Sequence, residues 1–340
     1  MFKVIDFFCG CGGTSSGLQA AGMSIVAGID IDPVAIDTYR ENFPEAITFN
    51  DDINNIKVEL LEGIAKTQYP DKLVFAACAP CQPFSAQNRN KKVDDKRACL
   101  LDQMHRFIEG LVPDYILLEN VPGMQKVKEG PFGRFLKLLS SKGYSVDFGV
   151  LDAATYGVPQ HRKRLVLIAS RNCSIKLPKP KYGPGLIPFK VVRDAIGHYP
   201  EIDSGEKSNI IKDHESAKLS PLLKKRIALL KNGEDRRAWP KELQLKCHKD
   251  CRTHTDVYGR LDWDKPSVTL TTKCISLSNG RFGHPEQNRA ISVREAASIQ
   301  TFPETYLFKG TLWQRARQVG NAVPPKLAEV IGKEIINIDK

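Results

Sequence analysis

Asp6-Phe7-Phe8-Cys9-Gly10-Cys11-Gly12-Gly13 closes the first apolar run of the chain, residues 3–8, and leads into a helix-like stretch at 15–21. Glycines at such a junction let the backbone turn sharply and let a ligand approach the main chain. The spacing GxGG departs from the dinucleotide pattern GxGxxG, and no Walker lysine follows. NAD and ATP are disfavoured on that ground, and an adenosine ligand without a pyrophosphate fits better. The next apolar run, 24–29, ends in Asp30-Ile31-Asp32, where a carboxylate can hold ribose hydroxyls. Asp51-Asp52-Ile53 stands at a third point of the same kind.

Further apolar runs at 72–78, 115–119 and 164–169 alternate with helical stretches at 33–42, 100–111 and 132–142. Strands buried on both faces and separated by helices predict an α/β fold with a mostly parallel sheet. The texture changes near residue 170. KLPKPKYGPGLIPF (176–189) suits a linker, and the stretch to about 287 has weak periodicity with one helix near 221–230. A tail helix at 324–336 follows Gly320-Asn321-Ala322-Val323. The expected organisation is a catalytic domain at 1–175 completed by the C-terminal helix at 318–340. A smaller irregular domain follows at 176–290 and a connecting segment at 291–317, with an Ala-rich capped helix expected across their junction at 289–299.

The 340 residues carry 50 Lys+Arg against 39 Asp+Glu, a net charge of +11. Residues 171–290 hold 24 of the basic and 14 of the acidic side chains, so nearly all the excess lies in that third. A basic surface there points to a polyanion, and nucleic acid is the expected partner. Nine cysteines is an odd number for a disulfide framework and points to reduced thiols. No apolar run approaches the ~20 residues of a membrane span. The N-terminus shows no cleavable signal, so a cytoplasmic protein is expected.

Three polar interruptions carry candidate chemistry. Ala79-Pro80-Cys81-Gln82-Pro83-Phe84-Ser85 places Cys81 on a Pro-stiffened turn where a strand ends. Arg89, Lys91, Lys92, Lys96 and Arg97 then supply the electropositive setting that a thiolate needs. A redox pair of Cys78 with Cys81 is the competing reading. Glu119, in Leu118-Glu119-Asn120-Val121, puts a carboxyl group at another strand end, as a proton donor or as a capping residue. Gln160-His161-Arg162-Lys163-Arg164 sends Gln160, Arg162 and Arg164 to one face of a starting strand, to meet ligand oxygens or to make an edge ion pair. Cys247-His248 with Cys251 and His254 has no standard zinc spacing, and no metal is expected.

Taken together and in order, these segments resemble the DNA cytosine-C5 methyltransferase family of the bacterial restriction–modification type. DFFCGCGG resembles its cofactor loop, APCQPFS its nucleophile loop, ENV its acid strand and QHRKR its base-contacting strand. RAISVREAASIQTFPETY and QVGNAVPP resemble its two late blocks. The resemblance implies the Rossmann-like fold of S-adenosylmethionine-dependent methyltransferases. It also implies S-adenosylmethionine as cofactor, duplex DNA as substrate, and a cytosine flipped out of the helix.

By the same resemblance Cys81 is the nucleophile toward C6, Glu119 meets N3, and Arg164 contacts O2 while Arg162 and Gln160 shape the pocket. Phe8, Gly10 and Gly13 line the cofactor, Asp30 binds ribose, Ile31 packs on adenine, and Asp52 with Ile53 meets the adenine edge. Pro80, Leu100, Asn321 and Ala322 complete that set. Asp30 stands where Glu is common, and Ile31 where a large aromatic is common. The basic stretch falls where the family keeps its target-recognition domain, and the chain is expected to act as a monomer. Expected DNA contacts are Ser85, Arg89, Arg97, Arg236, Arg237, Lys246, Arg252, Arg260, Lys273 and Arg281. An RNA (tRNA) cytosine-C5 methyltransferase and a catalytically silent DNA-binding relative are the rival readings. An NAD oxidoreductase is a distant third.

Overall fold

A computed structural model describes residues 1–66, 71–79, 96–127, 130–245 and 256–339, with side chains at 96–99 excepted. The chain divides into two compact units. The first comprises Met1–Tyr156, Lys163–Pro180 and Val323–Lys340, and the second Gly157–Arg162 and Lys181–Ala322.

The first unit is a seven-stranded sheet in the order β3-β2-β1-β4-β5-β7-β6. Its strands are β1 (Phe2–Phe7), β2 (Ser24–Asp30), β3 (Ile47–Asn50), β4 (Lys72–Ala77), β5 (Tyr115–Asn120), β6 (Ser145–Asp152) and β7 (Lys163–Ser170). The first five pair in parallel, joined by α1 (Gly13–Ala20), α2 (Pro33–Asn42), α3 (Val58–Ala65) and α4 (Met104–Leu111). From β1 the chain runs outward to β2 and β3, then returns to β4 on the other side. That reversal makes a crevice at the carboxyl ends of β1 and β4, where open α/β sheets bind ligands.

After α5 (Pro131–Ser141) the pattern changes, because β7 lies antiparallel to both β5 and β6. Only residues 153–162 join β6 to β7, fewer than a parallel crossover needs, so β7 returns alongside β6. The reversal brings the start of β7 to the end of β5, with Asn120 opposite Leu165 and Glu119 opposite Val166. Phe7 packs on Phe75 and Phe107, with ring centroids 4.9 and 5.0 Å apart, inside a core of buried Ile, Leu, Ala, Met and Phe.

Helix α10 (Pro325–Ile338) buries Leu327, Ala328, Ile331 and Ile335 and packs on α1. Small residues set that crossing. A Cβ on Gly17 would lie 2.2 Å from the Pro325 carbonyl oxygen, and one on Gly332 would lie 2.9 Å from the Ala21 Cβ.

The second unit carries α6 (Val192–Ile196), α7 (Pro221–Ala228), α8 (Val293–Ile299) and α9 (Leu312–Asn321) among irregular chain. Ser292 caps α8 and Thr311 caps α9, each in a reciprocal box with the residue three positions on. One of its apolar clusters, around Leu219, Ile227, Leu230, Trp239, Leu277 and Ala290, is small, and buried arginines take over much of the fastening. Arg289 forms a two-point pair with Glu295 at 2.7 Å for both contacts. Arg260 spends all five donors on the carbonyls of Ile227, Leu230, His284 and Gln287 and on Asn288 Oδ1.

Candidate active site

Beyond β1 the backbone enters the left-handed region at Phe8 (φ 58°), Gly10 (φ 52°) and Gly12 (φ 88°). A non-glycine residue there is sparsely populated and marks a loop that its surroundings hold in place. Main-chain and carboxylate contacts hold it. Cys9 N donates to the Ile29 carbonyl at 3.0 Å, and Gly12 N to the Cys9 carbonyl at 2.8 Å. Asp30 Oδ2 accepts from Gly10 N at 2.8 Å, and Oδ1 from Asp32 N at 2.9 Å. Asn50 Nδ2 donates to the carbonyls of Asp30 and Ile31, each at 3.1 Å. The carboxyl ends of β1, β2 and β3 are thus laced into one rim.

The rim suits an adenosine group. Burial raises the Asp30 carboxyl pKa, and the Asp32 and Gly10 N–H groups draw it back. Ile31 is 65% exposed, an apolar side chain left in solvent beside that carboxylate. A Cβ on Gly10 would meet nothing within 4 Å, so the loop is open on that side. At the third point Asp52 Oδ1 accepts from Asn54 N and Nδ2 at 2.9 and 2.7 Å. Ile53 sends its side chain into the core, which leaves only its main chain to a ligand. Leu100 is partly buried against the same core. Gly13 is buried as the first residue of α1, and Asn321 and Ala322 belong to the second unit.

Pro80, Cys81, Ser85 and Arg89 lie outside the described residues, as does the side chain of Arg97. Three cysteines that precede Cys81 in the chain, Cys9, Cys11 and Cys78, are described. Burial pushes the Cys11 thiol up to about 12 and the Cys9 thiol well above its ordinary range. Cys78 is also raised, by burial first and then by the Glu119 carboxylate, and its Sγ lies 3.3 Å from Thr14 Oγ1. All three are held as thiols, the opposite of what an attacking or redox-active sulfur needs.

Glu119 and Arg164 meet. Arg164 Nε lies 2.9 Å from Glu119 Oε1, with the side chains 15% and 12% exposed, and Arg164 Nη1 donates to the Lys163 carbonyl. The antiparallel return of β7 produces this pair. Asn120, which sequence reasoning passed over, is buried and donates from Nδ2 to the Ala79 carbonyl at 3.0 Å. It thereby fixes the chain two residues before Cys81. Its signal was present in the two adjacent polar residues of an otherwise apolar strand.

Gln160 and Arg162 are placed differently from the expectation. Strand β7 begins at Lys163, so both fall before it, in the second unit. Arg162 is buried and donates to the carbonyls of Leu270, Gly320 and Ala322 at 2.9, 3.0 and 3.0 Å. Gln160 accepts from Leu270 N and donates to Gln300 Oε1, whose amide in turn holds the Val319 and Ala322 carbonyls. The two side chains tie three segments of their own unit together.

Among the expected DNA contacts, Lys246 and Arg252 lie outside the described residues, as does the Cys247–His254 cluster. Arg260 leaves the set, because it is itself buried and its five donors are all used inside the unit. Arg236 is buried as well. Arg281 reaches Asp235 Oδ2 at 2.8 Å and the Gly233 carbonyl at 2.6 Å, so it braces the unit from within. Arg237 is 69% exposed but forms a two-point pair with Asp235, and Lys273 faces solvent. No described helix is long and apolar enough to cross a membrane.

Comparison with known proteins gives one result. Residues 2–337 match the family described as C-5 cytosine-specific DNA methylase. The Type II methylase M.HgiDII of Herpetosiphon aurantiacus is 38% identical over 98% of this chain and 94% of its own. The Type II methyltransferase M1.HphI of Haemophilus parahaemolyticus is 33% identical over 98% and 87%. A crystal structure of a DNA modification methyltransferase encoded within an E. coli prophage superposes with a TM-score of 0.77 at 27% identity, covering 99% of both chains. Spodoptera frugiperda DNMT2 shares the fold at a TM-score of 0.68 and 20% identity.

Proposed function

Because the chain belongs to the C-5 cytosine-specific DNA methylase family and is a DNA cytosine-5 methyltransferase, we propose that Cys81, Glu119 and Arg164 perform methyl transfer to a flipped-out cytosine. The observation that carries this reading is the Glu119–Arg164 pair at the carboxyl end of β5. Beside it stands β4, which ends at Ala77, four residues before Cys81, and one strand further is β1 with its open glycine loop.

The sulfur of Cys81 adds to C6 of the ring, and the electron pair displaced from the C5–C6 double bond makes C5 nucleophilic. Glu119 meets N3 and neutralises the charge that develops there, while Arg164 both holds Glu119 and contacts O2. C5 then takes the methyl group and loses its proton, and elimination of Cys81 restores the double bond. S-Adenosylmethionine, when bound, supplies the electrophilic methyl group. Phe8, Gly10, Gly13, Asp30, Ile31 and Asp52 would hold it, with the main chain of Ile53, and the family resemblance adds Pro80, Leu100, Asn321 and Ala322. Asn120 fixes the Ala79 carbonyl and so the approach of the nucleophile turn.

Residues 1–175 with the C-terminal segment 318–340, whose helix is α10, act as the catalytic part, 176–290 as the target-recognition part and 291–317 as the connection. Within the basic stretch, Lys273 is the described candidate that faces solvent without serving the interior. The protein works in the cytoplasm, as a monomer on duplex DNA. Duplex DNA containing 5-fluorocytosine tests the scheme, since C5 then has no proton to lose. With S-adenosylmethionine present the wild-type protein should form a covalent complex that survives denaturation, and Cys81→Ser should form none. A trap that persists in Cys81→Ser, or methyl transfer to tRNA but not to duplex DNA, would refute it.

A further inference from the structure

The turn at residues 51–56 carries Asp52, and its internal bonds fix its shape without fixing its place on the body of the fold. Asp51 Oδ1 accepts from Asp52 N and Asn55 Nδ2 at 2.7 and 2.8 Å, and Asn55 N donates to the Asp52 carbonyl at 2.8 Å. Ile53 and Ile56 send their side chains into the core. Their carbonyls are taken by a residue fifty positions on. Arg106 of α4 donates from Nη2 to the Ile53 carbonyl and from Nη1 to the Ile56 carbonyl.

Arg106 is itself constrained. Its Nε donates to Gln103 Oε1 at 3.2 Å, and its guanidinium carbon lies 4.1 Å from the centre of the Phe107 ring. Close packing of α3 on α4 brings it within reach. A Cβ on Gly110 would stand 2.6 Å from Val58 Cγ1, so this approach depends on glycine. A planar guanidinium can hold two carbonyls three residues apart, and a lysine ammonium on a flexible stem cannot hold both in one geometry.

We propose that Arg106 is a positioning residue for the adenine end of the cofactor, setting where Asp52 presents its carboxylate by clamping the turn beneath it. The proposal rests on the reading that Asp52 accepts the adenine 6-amino group. A purely architectural arginine would affect all ligands alike, whereas a clamp acting through Asp52 affects those that carry the amino group.

The experiment measures equilibrium binding of S-adenosylhomocysteine, and of its analogue with hydrogen in place of the 6-amino group, by titration calorimetry. Wild type, Asp52→Ala, Arg106→Met and Arg106→Lys are compared, and the lysine variant is read alone if the methionine variant does not fold. Arg106→Met should weaken S-adenosylhomocysteine on the order of tenfold and the analogue by less than about threefold. Arg106→Lys should restore only part of the difference. Equal losses for both ligands, or no loss, while Asp52→Ala shows the amino-group preference, would overturn the role of Arg106 alone. If Asp52→Ala itself leaves the two ligands in their wild-type ratio, the assignment of Asp52 falls and the clamp falls with it.

Discussion

Replacing Gly17 by alanine sets two physical effects against each other in the middle of α1. By helix propensity the change is favourable, since alanine is better than glycine in a helix interior by about 1 kcal/mol. By packing it is not. The new Cβ would lie 2.2 Å from the Pro325 carbonyl oxygen, 2.6 Å from the Ala328 Cβ and 2.7 Å from the Glu329 N. Two of these are backbone atoms, so no side chain can swing aside, and α10 must move by roughly 1 Å to restore van der Waals spacing. Overpacking of that kind costs about 1–3 kcal/mol, and the backbone contacts place it at the upper end. The expected net loss is about 2 kcal/mol. Gly133 in α5 supplies the control, because a Cβ there would meet nothing within 4 Å. Gly133→Ala should therefore stabilise by about 0.5–1 kcal/mol. Urea unfolding followed by far-UV circular dichroism compares the two variants with wild type. A Gly17→Ala protein as stable as wild type would refute the crossing geometry, as would a Gly133→Ala protein destabilised to the same extent.

Three further outcomes are expected. Glu119→Gln keeps the shape of the side chain but removes the charge paired with Arg164, and single-turnover methyl transfer should slow by about 100-fold or more; a rate within tenfold of wild type would take Glu119 out of the chemistry. Arg260→Met takes the guanidinium donor from the buried Leu230 and His284 carbonyls, while the Ile227 and Gln287 carbonyls keep the Leu230 and Arg289 N–H groups, and should cost about 2–4 kcal/mol, read as rapid proteolysis within 181–322, whereas a wild-type cleavage pattern would count against it. Asp6 is fully buried, its Oδ2 accepts from Ser15 Oγ at 2.6 Å, and burial pushes its carboxyl up to about 7. The folded protein then binds a proton that the unfolded chain has released, so stability should fall as pH rises from about 4 to about 7. Asp6→Asn should flatten that slope and be the more stable form at pH 8, and an unchanged slope in urea titrations would exclude the assignment.

The five central strands were readable in the sequence because each is a short apolar run, buried on both faces. The two that escaped, β3 and β6, are the edges of the sheet. In β6, Phe148 and Val150 are exposed between half-buried residues, so no continuous apolar run forms. The antiparallel insertion of β7 had no signal in local composition, because it follows from the length of the 153–162 connection and from pairing with β5. The site shows the same division. Cys81, Glu119 and the glycine loop stand out as polar or glycine interruptions at strand ends. Gln160 and Arg162 looked like partners of Arg164 under strand alternation, and the start of β7 at Lys163 breaks that period. Arginine count alone could not separate Arg260, which builds the second unit, from Lys273, which faces solvent. A buried guanidinium surrounded by carbonyls has no pattern in sequence.

Helix α10 covers α1, yet the whole of 181–322 lies between it and the strand that precedes it. On the ribosome, α1 and the sheet emerge early and wait with the Gly17 surface bare until residues 323–340 are translated. A nascent chain in that condition exposes apolar surface and invites chaperone binding or aggregation. Transcripts truncated before codon 323 should thus yield insoluble protein despite encoding Cys81, Glu119 and Arg164. A synthetic peptide spanning 323–340, added in trans, is the natural candidate for fragment complementation.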